Sequence, residues 1–431
     1  MTGRSLTQKE IALFFFPLLL NVQLMSASHS VINAALARQN DYVGALAAFA
    51  TAMVIHLFVA SPSYQNHTVT IAVVRGRRSL KGAVVFVLLV ATYVSVVLWL
   101  VAVTPVGDWM LRHLLGVEES LIAPTKSVVV FMAFLPFVTG FRGLFQGLVI
   151  RARRTGLVSI ATGIRILALF GYLALGSKYF SGAAIGGFAL VACVATETVV
   201  MGLFAWRVHL PFEEVEGEKG AGGILRYAFP LAYSSCLQQT IPLLIAAIIA
   251  RLPDGALALA AFGVIRGFLF LLAGPLRNLQ QAYLTLVRDR ADYQELVRFF
   301  LRVGSGMALV MLLIAFPFNQ LVLGRIMGIE TDLRLYIVWP LAGCLFFPLL
   351  YGASNLFRGF FAGAHRTGML GRSTMLKSSY LVVCWLATLV VPVPVPGIAL
   401  AIFLLLSAES LEAFYLYRQK HHLIETGQVS Q

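Results

Sequence analysis

The amino-acid sequence predicts an all-α polytopic membrane protein, with twelve transmembrane helices in two six-helix bundles related by pseudo-twofold symmetry. The first observation behind this prediction is composition: 59% of the 431 residues are hydrophobic and only 12% are charged, which places most of the chain in lipid. The second is a repeat. The segment Ala60–Pro62 is followed by a basic cluster at Val74–Arg77, and 213 residues later Ala273–Pro275 is followed by Val287–Arg290.

The repeat extends far beyond these two segments. Phe16–Leu18 recurs as Phe229–Leu231, and Arg154–Gly156 recurs as Arg366–Gly368 at an offset of 212. A nearly constant offset over half of the chain indicates a duplicated unit. Duplicated sets of membrane helices are typical of transporters.

Hydrophobic windows of about 20 residues predict twelve spans. They cover residues 8–36, 42–74, 80–105, 121–150, 156–175, 182–206, 224–250, 256–287, 295–318, 333–363, 369–391 and 398–417. Six spans per half is an even number, so both halves enter the membrane from the same side as parallel repeats. This gives an N-terminal bundle (1–208), a cytoplasmic linker (209–223), a C-terminal bundle (224–418) and a cytoplasmic tail (419–431).

Basic residues in the connections set the orientation. One side of the membrane has eighteen Lys and Arg residues and the other has seven, so the positive-inside rule places both termini in the cytoplasm. The formal net charge of +14 therefore reports topology, and we expect no nucleic-acid partner. The sequence contains no catalytic or phosphate-binding motif, and its four cysteines lack metal-ligand spacing. We expect no enzyme activity, no cofactor and no bound metal.

A pattern with a charged residue inside the membrane occurs in the fourth span of each half. It reads Phe-Arg-Gly-x-Phe-x-Gly at Phe141–Gly147 and again at Phe357–Gly363. Arg142 and Arg358 lie roughly 12–14 Å from the cytoplasmic end of their helices, where a charge requires a partner, a cavity or a function. We predict that both bind substrate. The alternative is structural: the glycines pack against a neighbouring helix and each arginine satisfies backbone carbonyls.

The eighth span carries two more arginines. Arg266 and Arg277 are eleven residues apart, three helical turns along nearly the same face, and Gln280 and Gln281 extend that surface. We predict that all four contact substrate, although Arg266 can instead extend its guanidinium to the outer surface.

Two charge pairs are predicted on consecutive helices at equal depth. Arg165 and Glu197 lie on the fifth and sixth spans, and Lys377 and Glu409 lie on the eleventh and twelfth, at an offset of 212. A structural ion pair inside each half is one interpretation. The other is that a glutamate carries a coupling proton.

The first and seventh spans are polar but have no carboxylate at membrane depth. Asn21 and His29 share a face of the first, and Gln238 and Gln239 lie on the seventh; we predict that these line a water-filled cavity. With no acid on these helices, we expect the cargo itself to neutralise the arginines in a central cleft, because guanidinium binds phosphate or carboxylate bidentately.

Three stretches of the sequence resemble the progressive ankylosis family. They are Ala35–Val69 (ALARQNDYVGALAAFATAMVIHLFVASPSYQNHTV), the tenth span through His365–Gly368, and Ala408–Ser410 with Tyr415–Arg418. That family belongs with the multidrug, oligosaccharidyl-lipid and polysaccharide exporters. The resemblance implies a MATE-like fold and export of small polyvalent anions. The chain lacks the long C-terminal tail of animal members and looks bacterial, which implies an inner (plasma) membrane location.

Together these observations favour a secondary-active exporter of pyrophosphate, nucleoside phosphates or citrate-like carboxylates that works by alternating access. We expect a monomer in membrane lipid, with possible H⁺ or Na⁺ coupling. Two alternatives share the fold: a flippase for lipid-linked oligosaccharide or diphosphate, and a MATE-type drug antiporter. The antiporter would need carboxylates that face the cavity from the first or seventh span, and the sequence has none at membrane depth on either span.

Overall fold

The computed structural model describes residues 6–115, 117–208, 218–327, 329, 331–391 and 394–425, and this part of the chain is helical with no β-strand. The α-helices are α1 (Gln8–Leu36), α2 (Tyr42–Val59), α3 (Asn66–Val73), α4 (Arg77–Val103), α5 (Pro105–Trp109), α6 (Glu119–Met132), α7 (Leu135–Arg151), α8 (Thr155–Tyr179), α9 (Ala183–Arg207), α10 (Ala221–Ile249), α11 (Gly255–Leu272), α12 (Leu279–Leu286), α13 (Arg290–Ala315), α14 (Thr331–Gly343), α15 (Phe347–Gly363), α16 (Thr367–Val390) and α17 (Gly397–Glu425).

Ten continuous helical segments among the described residues are each long and apolar enough to cross a membrane. Two further candidate spans each consist of two helices joined at a bend. One bend of 61° separates α2 from the 3₁₀ segment Ser61–Gln65 and α3; the other, of 44°, separates α11 from Gly274–Asn278 and α12. The prediction of twelve spans is confirmed when each bent pair is counted as one.

The bends have a direct chemical cause. Pro62 and Pro275 lie at the start of the two 3₁₀ segments. Proline lacks a backbone N–H and clashes with the preceding turn, so an α-helix cannot continue through it. The chain tightens into 3₁₀ geometry, with the Ser63 N–H bonded to the Ala60 carbonyl and the Leu276 N–H to the Ala273 carbonyl. The segments that first indicated the repeat are therefore the two breaks.

The repeat is preserved down to single turns. Two residues beyond the ends of α7 and α15 lies a non-glycine residue in the left-handed region, Arg153 with φ 60° and His365 with φ 55°. A residue in this conformation commonly terminates a helix. In each half a short π-helix, Met110–Leu114 or Gln320–Ile326, precedes the fourth span. Both π-helical segments lie in predicted connections between spans, whose helical structure the hydrophobic pattern does not predict.

The described residues form two compact units. The N unit comprises the described residues of Phe16–Cys236, and the C unit comprises those before Phe16 and those from Leu237 onward. Of the predicted linker, residues 209–217 lie outside the described residues, as do residues 426–431 of the predicted tail. α17 continues to Glu425, beyond the predicted end of the last span.

Candidate functional site

The N unit contains a buried charge cluster centred on Glu197 of α9. Its Oε2 atom accepts hydrogen bonds from Nη1 of Arg142 on α7 and from Nη1 of Arg165 on α8, both at 3.2 Å. The side chains of Glu197 and Arg165 are each 2% exposed. Both α7 and α8 pack against α9, so one carboxylate compensates a charge on each neighbour. A buried charge is tolerated only with such partners.

Two neutral side chains complete this cluster. The Thr162 hydroxyl lies 2.7 Å from Glu197 Oε1 and 2.5 Å from Asn21 Oδ1, which connects α1 to the charged group. Two guanidinium groups and one carboxylate leave a formal net charge of +1. The Nε atoms of Arg142 and Arg165 are buried without a hydrogen-bond partner.

The C unit contains a second cluster with one more carboxylate. Arg358 on α15 donates to Glu412 Oε1 on α17 through Nε at 3.0 Å and also through Nη2. Lys377 on α16 donates through Nζ to Glu409 Oε1 and, at 3.1 Å, to Glu412 Oε2. All four side chains are buried. Two cations and two carboxylates give a formal net charge of zero.

The two glutamates of this cluster differ in their partners. Glu412 also accepts a hydrogen bond from Ser373 Oγ at 3.3 Å, and its partner Arg358 is further held by Thr374 Oγ1 at 2.8 Å. Glu409 has Lys377 alone as an ion-pair partner within the described residues. Its side chain is 7% exposed, against 2% for Glu412. Glu409 is thus the less tightly held carboxylate.

Both predicted charge pairs are brought together, but the sequence reading missed Glu412 and the bond between Arg142 and Glu197. The signal was present in the spacing: Arg142 and Glu197 are 55 residues apart, and Arg358 and Glu412 are 54 apart. The expectation that cargo neutralises Arg142 and Arg358 is corrected, because carboxylates from the sixth and twelfth spans already do so.

The glycines of the repeated Phe-Arg-Gly-x-Phe-x-Gly pattern have a packing role. A Cβ atom on Gly143 would lie 3.0 Å from Asn66 Cβ, and one on Gly147 would lie 2.6 Å from Thr70 Cβ. In the C unit, a Cβ atom on Gly359 would lie 2.6 Å from Tyr283 Cβ. The glycines therefore let α3 and α12 lie directly against α7 and α15.

The arginines of the eighth span are both exposed within the C unit. Arg277 lies in the 3₁₀ break, which packs against α15, and no carboxylate among the described residues forms an ion pair with it. Arg277 is therefore an exposed cation on an element that packs against α15, the helix that carries Arg358. Arg266 lies over the ring of Phe262 at 5.9 Å.

The remaining predicted contacts are spread over several surroundings. Gln280 and Gln281 are buried on α12, and Gln281 Nε2 donates to Asn278 Oδ1 at 3.4 Å. His29 is half-buried, as is Gln238, whereas Gln239 is exposed.

A metal site does not account for the charged groups in the part of the chain that the structure describes. Among the described residues, no group of three or more His, Cys, Asp or Glu side chains could hold a metal ion. A groove of about 250 Å³ between α7 and α9 is apolar and is lined by Phe137, Val138, Phe141, Phe145, Thr198, Val199 and Gly202. It contains none of the predicted site residues.

Comparison with known proteins gives a partial family match and a match of the whole fold. Residues 6–180 match the family described as Progressive ankylosis protein (ANKH). No curated protein matches the chain.

Several solved structures match over nearly the full length of both chains. A Vibrio cholerae MATE transporter, VcmN, has a TM-score of 0.71 at 16% identity and covers 97% of each chain. A MOP superfamily transporter from Pyrococcus furiosus, for which reversed polarity of the binding pocket suggests a different function, has a TM-score of 0.68 at 12% identity, over 98% of this chain and 97% of that one. A eukaryotic MATE transporter has a TM-score of 0.68 at 12% identity, over 95% and 94%. The resemblance is confirmed: residues 6–180 carry the progressive ankylosis family match, and the chain as a whole has the MATE fold.

Proposed function

We propose that this chain is a secondary-active transporter that exports small polyvalent anions, such as pyrophosphate, nucleoside phosphates or citrate-like carboxylates, by alternating access. The family match over residues 6–180 and the MATE fold support a multi-pass membrane transporter. The anionic cargo, a bacterial inner-membrane location, cytoplasmic termini and a monomeric state are part of the proposal. A relative with a binding pocket of reversed polarity supports the idea that this fold accommodates more than one kind of cargo.

The observation that carries the anion proposal is an excess of positive charge. Among the side chains of the two charge clusters and of the eighth span, six are cationic: Arg142, Arg165, Arg266, Arg277, Arg358 and Lys377. Three carboxylates accompany them: Glu197, Glu409 and Glu412. Every one of these carboxylates is already paired, so a further anion is the available counter-charge. Cations in a low-dielectric region attract anions strongly because little water is present there to screen the charges.

Arg277 is the group that we assign to direct contact with the cargo. It is exposed, has no ion-pair partner among the described residues, and lies at a helix break, the kind of element that forms substrate sites in transporters. Its planar guanidinium can bind a phosphate or carboxylate bidentately. In this proposal the charge of Arg358 attracts the cargo from a distance, and Arg266, Gln238, Gln239, Gln280 and Gln281 of the C unit provide polar contacts.

The test is transport by purified protein in liposomes loaded with radiolabelled pyrophosphate, ATP or citrate. We expect efflux of at least one of these anions. The Arg277→Gln substitution should weaken binding of the transported anion by about 1.5–3 kcal/mol, the range for a charged hydrogen bond. Arg277→Lys should recover part of this lost binding free energy. The matched control is Arg38→Gln, an exposed arginine just beyond α1, which should bind as the wild type does.

The alternatives give different results in the same liposomes. Movement of a lipid diphosphate between leaflets without efflux of soluble anions would assign the flippase function. Efflux of organic cations that is unaffected by Arg277→Gln would assign the drug antiporter. Either result overturns the proposal.

A further inference from the structure

The C-unit cluster differs from the N-unit cluster in one respect that bears on coupling. In the N unit a single carboxylate, Glu197, binds both cations. In the C unit two carboxylates share the two cations. Glu412 binds both Arg358 and Lys377, and Glu409 is a second carboxylate that binds Lys377. The additional carboxylate makes this cluster neutral and gives Lys377 two acidic partners.

This arrangement makes Glu409 the carboxylate that can be neutralised at the lowest cost. Neutralising Glu197 would remove the carboxylate that both guanidinium groups share, and neutralising Glu412 would remove the carboxylate to which Arg358 donates two hydrogen bonds. If Glu409 takes up a proton, Lys377 keeps its 3.1 Å bond to Glu412 and no cation is left unpaired. Leaving a buried charge without a partner is the costly event, and only Glu409 avoids it.

We infer that Glu409 is the proton-binding group of this protein, and that proton uptake by Glu409 and anion binding at Arg277 favour each other. The second part rests on the proposed function. In the step, the Glu409 carboxylate becomes a carboxylic acid and the formal charge of the cluster rises from zero to +1. An anion nearby is then attracted more strongly, and by reciprocity a bound anion makes proton uptake more favourable.

Glu409 and Arg277 lie on elements that both pack against α15: α17 carries Glu409, and the 3₁₀ break carries Arg277. Just before α11 and on α14, whose helices also pack against α17, Asp254 and Tyr336 accept hydrogen bonds from the backbone of the first turn of α17. Arg266 of α11 is exposed. The charged groups around Glu409 are therefore mainly cations, which become less well compensated once it is protonated.

Proton binding can be measured without any cargo. Infrared difference spectra of the purified protein between about pH 5 and about pH 8 should show the C=O stretching band of a protonated carboxyl group. We expect Glu409→Gln to remove this band. The matched control, Glu425→Gln, alters an exposed glutamate on the same helix and should keep it. A band that persists in Glu409→Gln, or no band in the wild type, overturns the inference.

The linkage to the anion is measured by binding of inorganic pyrophosphate over the same pH range. Wild-type affinity should fall up to about tenfold per pH unit as the pH rises, the slope for one linked proton. Glu409→Gln, which mimics the protonated state, should bind at the higher pH as tightly as the wild type binds at the lower pH. Equal pH dependence in both proteins overturns the linkage.

Two outcomes separate the hypotheses and guard against a variant that does not fold. A Glu409-dependent band in a protein that transports and binds none of the tested anions contradicts the proposed function and leaves the proton site standing. If Glu409→Gln does not fold, Glu409→Asp keeps the charge on a shorter side chain. This variant should then shift the pH at which the band appears, and an unshifted band counts against Glu409.

Discussion

Arg358 is bound to Glu412, a glutamate one helical turn beyond Glu409, whereas the corresponding Arg142 is bound to Glu197. The arginine motif is displaced by 216 residues between the halves, while Arg165 and Lys377 keep the offset of 212. Four residues are about one helical turn, so the displaced arginine stays on nearly the same face but at a different depth. A second carboxylate at the new depth is what allows this displacement.

The first prediction concerns the two glutamates of this cluster. Glu412→Gln should lower the free energy of unfolding by about 3–5 kcal/mol, because it removes the carboxylate that binds the buried Arg358. Glu409→Gln should cost clearly less, since Lys377 keeps Glu412. Thermal unfolding of the purified variants in detergent compares the two. Equal losses, or a larger loss for Glu409→Gln, would contradict the division of partners.

The second prediction concerns the glycine that packs against α12. Gly359→Ala should destabilise the protein by about 1–3 kcal/mol, the usual cost of overpacking, because the new methyl group would lie 2.6 Å from Tyr283 Cβ. Gly163→Ala is the control: it lies within α8 with no atom within 4 Å of the new methyl group, and alanine favours helix. It should be neutral or stabilising in the same unfolding assay, and a similar loss in both would argue against the close packing.

The third prediction is a pH dependence at one end of α17. A hydrogen bond from the Tyr336 hydroxyl, together with one from the Gly397 N–H at 2.8 Å, lowers the pKa of Asp254 below its usual value. A carboxyl group with a lowered folded-state pKa stabilises the fold above its unfolded-state pKa and loses this contribution as the pH falls through the folded-state value. Tyr336→Phe should therefore lower the free energy of unfolding at neutral pH. In acid, where Asp254 is protonated in both proteins, the free energies of unfolding of the variant and the wild type should differ less. A constant difference at every pH would exclude this mechanism.

The fourth prediction tests the orientation assigned from basic residues. In a variant without the native cysteines, single cysteines at Lys178 and Arg207, which are exposed at opposite ends of α8 and α9, should react with an impermeant maleimide from opposite sides. Intact cells should label only the Lys178 position, and inverted vesicles only the Arg207 position. Labelling of both from one side would refute the proposed topology.

The fold could be predicted largely from sequence because its signals are repeated. Hydrophobic length gives the spans, and Pro62 and Pro275 mark the two bends. Ion-pair partners are harder to predict from sequence. The hydrophobic pattern and the repeat offset give the depth of a side chain in the membrane, but they do not give the direction in which it points. Arg142 and Glu197 lie on helices that are not consecutive, so equal depth on neighbouring helices could not reveal their bond. An offset of 212 from Glu197 leads to Glu409 and not to Glu412, the glutamate that binds Arg358, because the arginine follows an offset of 216.

The fifth prediction is a double-mutant cycle in the N-unit cluster. Glu197→Gln should lower the free energy of unfolding by about 3–5 kcal/mol, because Arg142 and Arg165, both 3.2 Å from its Oε2, would lose their shared counter-charge. Arg142→Gln alone should cost less, because Glu197 keeps Arg165 and Thr162. Adding Arg142→Gln to Glu197→Gln should recover part of the loss, since one unpaired charge remains instead of two. Substitutions within one ionic network show such coupling, whereas the free-energy changes of substitutions at independent sites are additive. Thermal unfolding of the four proteins gives the coupling free energy, and a value near zero would mean that Arg142 and Glu197 do not share a network.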